Sequence, residues 1–181
     1  MSNVDNPNGF QWTNHGKPFP GTIATFIKLA TVNTAIFQND VVREVDGATG
    51  SEEAAALEPF GTGTPGVTIP TGVALDFGPS ATKTRHHVIV DKDVQYVAQD
   101  DDDTDGLVLA DMGKRTNVST GTGSTTTGFS GHEIDEATVD ATETDVRDLL
   151  LLRLFPAPDN AFGPHARILV KFRSVSQSPV V

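Results

Sequence analysis

The stretch HHVIVDKDVQYVAQ, residues 86–99, decides the predicted fold class. Two runs rich in Val, Ile and Tyr, residues 86–90 and 94–99, flank the polar segment Asp91–Asp93. Valine, isoleucine and tyrosine favour strands, whereas aspartate favours turns. The pattern therefore predicts two neighbouring strands joined as a β-hairpin, although the turn contains no glycine.

Further strands are predicted on both sides of this hairpin. Runs rich in apolar and β-branched residues occur at 22–30, in two pieces within 34–45, at 73–77, from about Arg147 to Phe155, and at 166–172, where the alternation predicts a half-buried strand. The Gly-, Thr- and Ser-rich segment 117–131 is either a long loop or a flexible hairpin. About eight to ten strands of this spacing indicate an all-β fold, a single-domain β-sandwich or β-barrel with long loops.

At most one short helix is expected. The best candidate is 47–61, where Ser51 is placed to cap the helix, Glu52 and Glu53 suit its first turn, and Pro59 bounds it.

The chain divides into three segments. Residues 1–20 are rich in Asn, Gly and Pro without periodicity, which predicts an extended N-terminal arm. Residues 21–173 contain the predicted strands and form the β-rich domain. Residues 174–181 form a loose C-terminal tail.

Three aromatic side chains make the arm a candidate binding segment. Phe10, Trp12 and Phe19 lie within it, and Trp12 is the only tryptophan of the chain. Burying one aromatic side chain stabilises a contact by about 1.5–3 kcal/mol, and tryptophan is enriched at interface hot spots. Two interpretations stay open: the arm folds back onto its own domain, or it docks on a partner. For the second, these three side chains are the candidate partner-binding residues.

Composition narrows the classes of partner. The formal net charge is -11 and the isoelectric point is about 4.6, so the surface repels phosphates and no binding to nucleic acid is expected. The absence of cysteine excludes disulfides, thiolate zinc sites and cysteine nucleophiles. The apolar run Leu149–Leu152 is far shorter than the roughly 20 residues that a membrane span needs, and no secretory signal is visible. We therefore expect a soluble protein that is made in a cytoplasm and has no membrane partner.

The acidic segment 99–113 contains the opening of a calcium loop. From Asp101 it reads D-x-D-x-D-G, which fits the first six positions of an EF-hand loop. The position where a bidentate glutamate completes the coordination shell is occupied by Met112. We predict a solvated acidic turn without a metal ion, and a calcium loop of another kind remains the alternative.

No group of residues in the sequence indicates an enzyme. His86 and His87 are adjacent in a predicted strand, so their side chains point to opposite faces and do not share one metal ion. The Gly-rich segments lack the lysine of a phosphate-binding loop, and Ser124 and Ser130 lack a nucleophile elbow. We expect no catalytic residues, no metal site and no cofactor.

Two stretches are similar to a family of phage structural proteins. GTGSTTTGFSGHEID, residues 121–135, and LLRLFPAPDNAFGPHARILVKF, residues 151–172, resemble the C-terminal half of the capsid decoration proteins of tailed bacteriophages, also called cement or head-stabilising proteins. The shared pattern is a G-T-G-S-x-T-T-G-x-S-G loop, an acidic segment, a strand, the turn Pro158–Asn160 and a final strand. The resemblance extends from about Gly16 to Phe172 and rests on loop and turn motifs.

The resemblance implies a structural function on the outer surface of a phage capsid, with synthesis in the host cytoplasm. Members of the family bind the assembled shell at three-fold and quasi-three-fold positions, often as trimers, and reinforce the joints between capsomers. For this chain it implies two partners, the major capsid protein and further copies of itself in a homotrimer. The run of Asp at 100–103 departs from the family pattern, which weakens a functional interpretation of that run.

Two other classes of function remain open. One is a different virion component, such as a tail or fibre-base protein. The other is a calcium- or carbohydrate-binding β-module.

Overall fold

The fold consists of a barrel packed against a sheet. The computed structural model describes residues 3–13, 22–45, 56–61, 69–91, 93–101, 105–140 and 147–173. Within these residues the strands are, in chain order, β1 (Gln11–Thr13), β2 (Ile23–Lys28), β3 (Val41–Val45), β4 (Ala56–Pro59), β5 (Gly72–Ala74), β6 (Thr84–Ile89), β7 (Gln95–Gln99), β8 (Arg115–Gly121), β9 (Gly131–Asp140), β10 (Leu149–Leu154) and β11 (Arg167–Phe172). A short 3-10 helix, Leu109–Asp111, precedes β8. The predicted all-β fold is confirmed.

Five strands close into a barrel in the order β2-β4-β3-β5-β6, and the other six form a sheet in the order β1-β7-β11-β10-β8-β9. The antiparallel pairing of β6 with β2 closes the barrel, whereas β2 and β4 are parallel. A closed barrel has no free strand edge. The two ends of the sheet are the outer edges of β1 and β9, and the edge of β9 is partly covered, because the N–H of Asp101 donates to the carbonyl of Ile134 over 3.1 Å.

The barrel and the sheet share one hydrophobic core. Val41, Val73 and Ile89 of the barrel are fully buried in the same cluster as Tyr96 and Ile168 of the sheet. A second buried cluster takes one residue from each barrel strand: Phe26, Val42, Leu57, Ala74 and Val88. Because successive side chains of a strand point to opposite faces, β3, β5 and β6 each contribute neighbouring residues to two cores.

The hairpin predicted at 86–99 is wrong. β6 pairs with β2 and β5 in the barrel, whereas β7 pairs with β1 and β11 in the sheet. The connection crosses between the two layers, and Oδ1 of Asp91 accepts the N–H of Asp93 over 2.9 Å in an Asx turn. A hairpin and a crossing have the same strand-turn-strand pattern. Both edges of β6 are occupied by β2 and β5, and both edges of β7 by β1 and β11, so the two strands do not pair with each other.

Two sequence-based assignments need a further correction. The helix predicted at 47–61 is wrong at its C-terminal part, where Ala56–Pro59 forms β4 in pairing with β3; residues 47–55 lie outside the described residues. The strand predicted at 166–172 is present, but it is more deeply buried than expected, because Leu169 is buried on the face opposite Ile168 and Val170. Arg167 and Lys171, on the same face as Leu169, are partly buried.

The segment 117–131 is an antiparallel hairpin rather than a long loop. β8 and β9 pair from Asn117 opposite Asp135 to Gly121 opposite Gly131. The ten-residue β9 is the longest strand, and the loop that joins it to β8 carries the motif of the sequence resemblance.

Candidate functional site

The loop between β8 and β9 is held in one shape by its own hydrogen bonds. The N–H of Ser124 donates to the carbonyl of Phe129 over 2.9 Å, and the N–H of Gly128 donates back to the carbonyl of Ser124 over 2.7 Å. The hydroxyl of Ser124 also accepts the N–H of Thr127 at 3.3 Å. A loop with internal bonds of this kind loses little conformational entropy when it binds a partner.

The segment before β3 fixes this loop relative to the barrel. The N–H of Gln38 donates to the carbonyl of Gly128 over 2.9 Å, and the carbonyl of Gln38 accepts the N–H of Ser130 over the same distance, 2.9 Å. Gln38 and Phe129 thereby form a parallel bridge. The loop belongs to the sheet by sequence and is attached to the barrel by these two bonds.

Two phenylalanine rings are exposed at this loop. Phe77 is 42% exposed and Phe129 is 36% exposed. The ring of Phe77 packs on the buried ring of Phe37, with 5.4 Å between the ring centroids. Residues 125–127, all threonine, are exposed beside Phe129. We call residues 123–129 together with Phe77 the loop platform.

Two glycines of the loop platform permit this packing. A Cβ atom at Gly123 would lie 2.3 Å from the ring of Phe37, so only glycine allows the loop to approach that ring. Gly128 has a φ of +77°, in the left-handed region that side chains disfavour, and it lies against Phe77. The glycines of the motif therefore place the two exposed rings.

A buried polar cluster lies directly beneath the loop platform. Nδ1 of His132 accepts the N–H of Val41 at 3.2 Å, and the hydroxyl of Ser130 accepts the N–H of His132 at 2.9 Å. Oδ2 of Asp40 accepts the N–H of Phe37 at 2.7 Å, and Oδ1 of Asp40 is 3.6 Å from Nε2 of His132. Asp40 is 2% exposed and His132 is 4% exposed.

Burial determines the protonation of this pair. It lowers the pKa of His132, and the nearby Asp40 carboxylate opposes the shift. It also raises the pKa of Asp40, against the opposing effects of His132 and of hydrogen bonds from Phe37 and Ser130. Because Nδ1 of His132 is an acceptor, the neutral ring carries its proton on Nε2, facing Asp40.

The cluster has the residue types of a hydrolase triad but not its connections. In a triad the serine hydroxyl is hydrogen bonded to the imidazole. Here the hydroxyl of Ser130 is bonded to the carboxylate of Asp40 instead, and the imidazole bonds to a backbone N–H. Ser130 is 2% exposed. The cluster joins β3 to β9 and positions the loop platform.

The acidic segment uses its carboxylates to hold the backbone. Oδ2 of the fully buried Asp100 accepts the N–H of Leu107 at 3.2 Å. Oε1 of Glu136 accepts the N–H of Asp105 at 2.8 Å, and the N–H of Glu136 donates to Oδ1 of Asp101 at 3.3 Å. The predicted solvated turn is therefore corrected at Asp100, which is buried.

No metal centre is formed within the described part of this segment. Residues 102–104 of the predicted calcium loop lie outside the described residues. Among the residues that are described, no group of three or more His, Asp or Glu side chains is placed to hold a metal ion.

The three aromatic residues predicted to bind a partner do not form one site. Phe10 is fully buried in the shared core of its own chain, which favours the interpretation that the arm folds back onto its own domain. Trp12 lies on the edge strand β1, opposite Tyr96 of β7, and is 40% exposed. Phe19 lies outside the described residues. Partner binding by Phe10, Trp12 and Phe19 stays a prediction.

The loop platform was not assigned as a binding site from the sequence. Phe129 stands in the quoted motif, and an aromatic residue within a Gly-, Thr- and Ser-rich loop was the available signal. The sequence around Phe77 contains no comparable indication of a binding site. Its contact with Gly128 exists only because the barrel packs against the sheet.

Comparison with known proteins adds no relative. No family model, curated protein or solved structure matches the chain. In the part of the chain that the structure describes, no helix is long and apolar enough to cross a membrane.

Proposed function

We propose that the chain is a structural virion protein that binds the outer surface of a tailed-phage capsid and stabilises the shell. The observation that carries the proposal is the loop platform. The motif that resembles capsid decoration proteins, Gly121–Gly131, is also the loop that presents the exposed ring of Phe129 on an internally bonded backbone, beside the exposed ring of Phe77. The sequence resemblance and the exposed surface thus coincide.

The chemistry of the loop platform suits a contact with another protein. Covering a phenylalanine ring contributes about 1.5–3 kcal/mol, and aromatic side chains are enriched at the centre of interfaces. The threonines at 125–127 are exposed and uncharged, so they form a rim that loses little solvation energy on contact. The proposed partner is the major capsid protein.

The proposal includes assembly as a homo-oligomer, a trimer, on the particle. The resemblance supports the trimer. The low hydrophobic content of 37% and the exposed Ile23 of β2 add to that support, because subunit contacts cover apolar side chains that a monomer exposes. Light scattering of the free protein is expected to give three times the chain mass of 19.2 kDa. A monomer in solution would confine trimer formation to the capsid.

The experiment that tests the function is binding to particles of the phage that encodes the chain, after the protein has been stripped from them. The wild-type chain is compared with Phe129→Ser, with Phe77→Ser and with the matched control Leu109→Ser. Leu109 is 71% exposed on the 3-10 helix, away from the platform motif. We expect the two platform variants to bind at least about tenfold more weakly, the equivalent of one lost contact of about 1.4 kcal/mol, and the control to bind normally.

Two outcomes would contradict different parts of this proposal. If the wild-type chain does not bind stripped heads, or binds only tails, the capsid function is wrong. If it binds heads and the platform variants bind equally well, the function stands and the loop platform is not the contact.

A further inference from the structure

The N-terminal arm occupies a groove at the edge of the six-stranded sheet. We use the term arm here for residues 3–13 and the term arm groove for the surface that they cover. β1 pairs antiparallel with β7, with Gln11 opposite Val97. The N–H of Phe10 donates to the carbonyl of Asn39 over 3.0 Å, and the ring of Phe10 packs 5.8 Å from that of Phe172. The arm thus combines strand pairing with one buried aromatic side chain.

The arm groove recognises the sequence of the arm. Nδ2 of Asn3 donates to the carbonyls of Ala161 at 2.9 Å and Pro164 at 2.7 Å. The N–H of Asn6 donates to Oε1 of Gln99 at 3.1 Å. These bonds link the arm to residues more than 90 positions away, so they specify both its register and its direction.

An empty arm groove would be costly. Without Phe10, the buried ring of Phe172 would lose an aromatic ring packed against it, and the backbone of β7 would become a free strand edge. Exposed edges of this kind pair with other strands. The groove therefore needs an occupant, and the arm is the sequence that it fits.

The first half of the arm is less closely packed than Phe10. A cavity of about 180 Å³ lies between Asn3–Gly9 and the surface of β7 and β11. The cavity is open to solvent on one side, so lifting this half of the arm removes less packed surface from contact than lifting a segment packed on all sides. The second half of the arm is held more firmly, by the burial of Phe10 and by the pairing of β1 with β7.

We propose that the arm of one copy occupies the arm groove of a second copy of this chain. An exchanged arm makes the same contacts as the chain's own arm. The equilibrium between the two placements of the arm therefore depends on the local concentration of copies and on the length of the segment that connects the arm to β2. Residues 14–22 connect β1 to β2 and span up to about 30 Å when extended. This length is comparable to the diameter of a small domain, which is enough for the arm to reach the groove of a copy that lies beside it.

Arm exchange does not depend on the capsid function. It requires only that copies come close to one another, whether on a particle or in a concentrated solution. The partner copy contributes Phe10 to the core of its neighbour, so each exchanged core is incomplete without a second chain.

The chain contains no cysteine, which permits a direct test by disulfide trapping. Full-length Gln11→Cys and Val97→Cys variants, distinguished by mass, are mixed at high concentration, incubated, and oxidised. Only an exchanged arm places the cysteine of one chain opposite that of the other, because these residues are register partners. The matched control is the mixture of Ile27→Cys and Arg85→Cys, register partners on two strands inside the barrel.

We expect at least about tenfold more mixed disulfide dimer from the arm pair than from the barrel pair, since exchange converts a random encounter into a held contact. A double variant with both cysteines in one chain is expected to form the internal disulfide and to lose the exchange. The proposal is overturned if the double variant closes its disulfide while the mixture yields no more dimer than the control. It is also overturned if the double variant does not close, since the arm then does not lie on β7.

Discussion

Nδ1 of His132 accepts the backbone N–H of Val41 over 3.2 Å, and this bond joins β9 of the sheet to β3 of the barrel. Both residues are buried, at 4% and 0% exposure. The bond therefore connects the two layers at a place that water does not reach. It also lies beneath the loop platform, and the hydroxyl of Ser130, the residue that follows the platform, accepts the backbone N–H of the same histidine.

Two replacements of His132 are expected to show how much its hydrogen bond to Val41 contributes to the free energy of unfolding, apart from the contribution of the space that its ring fills. His132→Phe leaves the N–H of Val41 buried without an acceptor and should lower the free energy of unfolding by about 1–3 kcal/mol. His132→Asn provides an oxygen near the place of Nδ1 and should lower it less. The measurement is urea unfolding at neutral pH. As a control, His87→Asn changes an exposed histidine; a loss for His132→Phe no larger than for this control would refute the structural role.

Asp148 is expected to make stability fall as the pH rises. Burial raises the pKa of Asp148 from 3.8 to about 6, against the effect of a hydrogen bond from the N–H of Val118. Between these two values the folded chain binds a proton at Asp148 and the unfolded chain does not, so the protonated form favours folding and its contribution is lost as the pH rises through 6. Asp148→Asn should therefore raise the free energy of unfolding by about 1–3 kcal/mol at pH 7.

The same difference should disappear near pH 4, where the wild-type carboxyl is protonated in the folded chain. Unfolding curves of both chains across this range provide the test. Asp93→Asn, a change at an exposed aspartate, is the control for general charge effects. A constant difference between Asp148→Asn and the wild type at all pH values would show that the effect is not the titration of Asp148.

Gly123→Ala is expected to disturb the loop platform. Its Cβ atom would meet the ring of Phe37 at 2.3 Å, and overpacking of this kind costs about 1–3 kcal/mol. Gly113→Ala serves as the comparison, because it places the same methyl group at a φ of +89° with no atom within 4 Å. Both changes should lower stability, but only Gly123→Ala should weaken binding to stripped particles. Equal binding by the two variants would contradict the importance of the loop shape.

Phe10→Ala and Trp12→Ala are expected to differ strongly although the residues are two positions apart. Phe10 is fully buried, and removing such a ring costs about 3–5 kcal/mol. Trp12 is 40% exposed and should cost clearly less. The measurement is the free energy of unfolding of the two variants in denaturant. A similar decrease for both would contradict the place of Phe10 in the core.

Calcium is expected to leave the thermal stability unchanged. The carboxylates of Asp100 and Asp101 already accept backbone N–H groups, and Met112 occupies the position of the glutamate that completes an EF-hand loop. A site filled at 100 times its dissociation constant would stabilise the chain by about 2.7 kcal/mol, or about 5–10 °C in melting temperature. The comparison is between chelator and calcium, with magnesium at the same concentration as the control for ionic strength. A shift of that size with calcium alone would establish a metal site.

The local pattern of the sequence was sufficient for the fold class and for several strands. The apolar run before Pro156 and the alternation before Arg173 predicted β10 and β11, because a strand of suitable residues forms wherever a buried surface is available. The Gly-, Thr- and Ser-rich segment between residues 117 and 131 left a loop and a hairpin open, and the structure has the hairpin.

The sequence by itself determined an acidic, cysteine-free chain built from short strands. Only the tertiary structure decided which strands are neighbours, that Phe10 belongs to the core, and that Phe77 lies beside Gly128. The physical reason is that periodicity reports which side chains of a strand are buried but not what buries them. Residues 86–99 contain two good strands, yet β6 pairs with strands of the barrel and β7 with strands of the sheet. Long-range packing of the barrel against the sheet therefore determined their pairing.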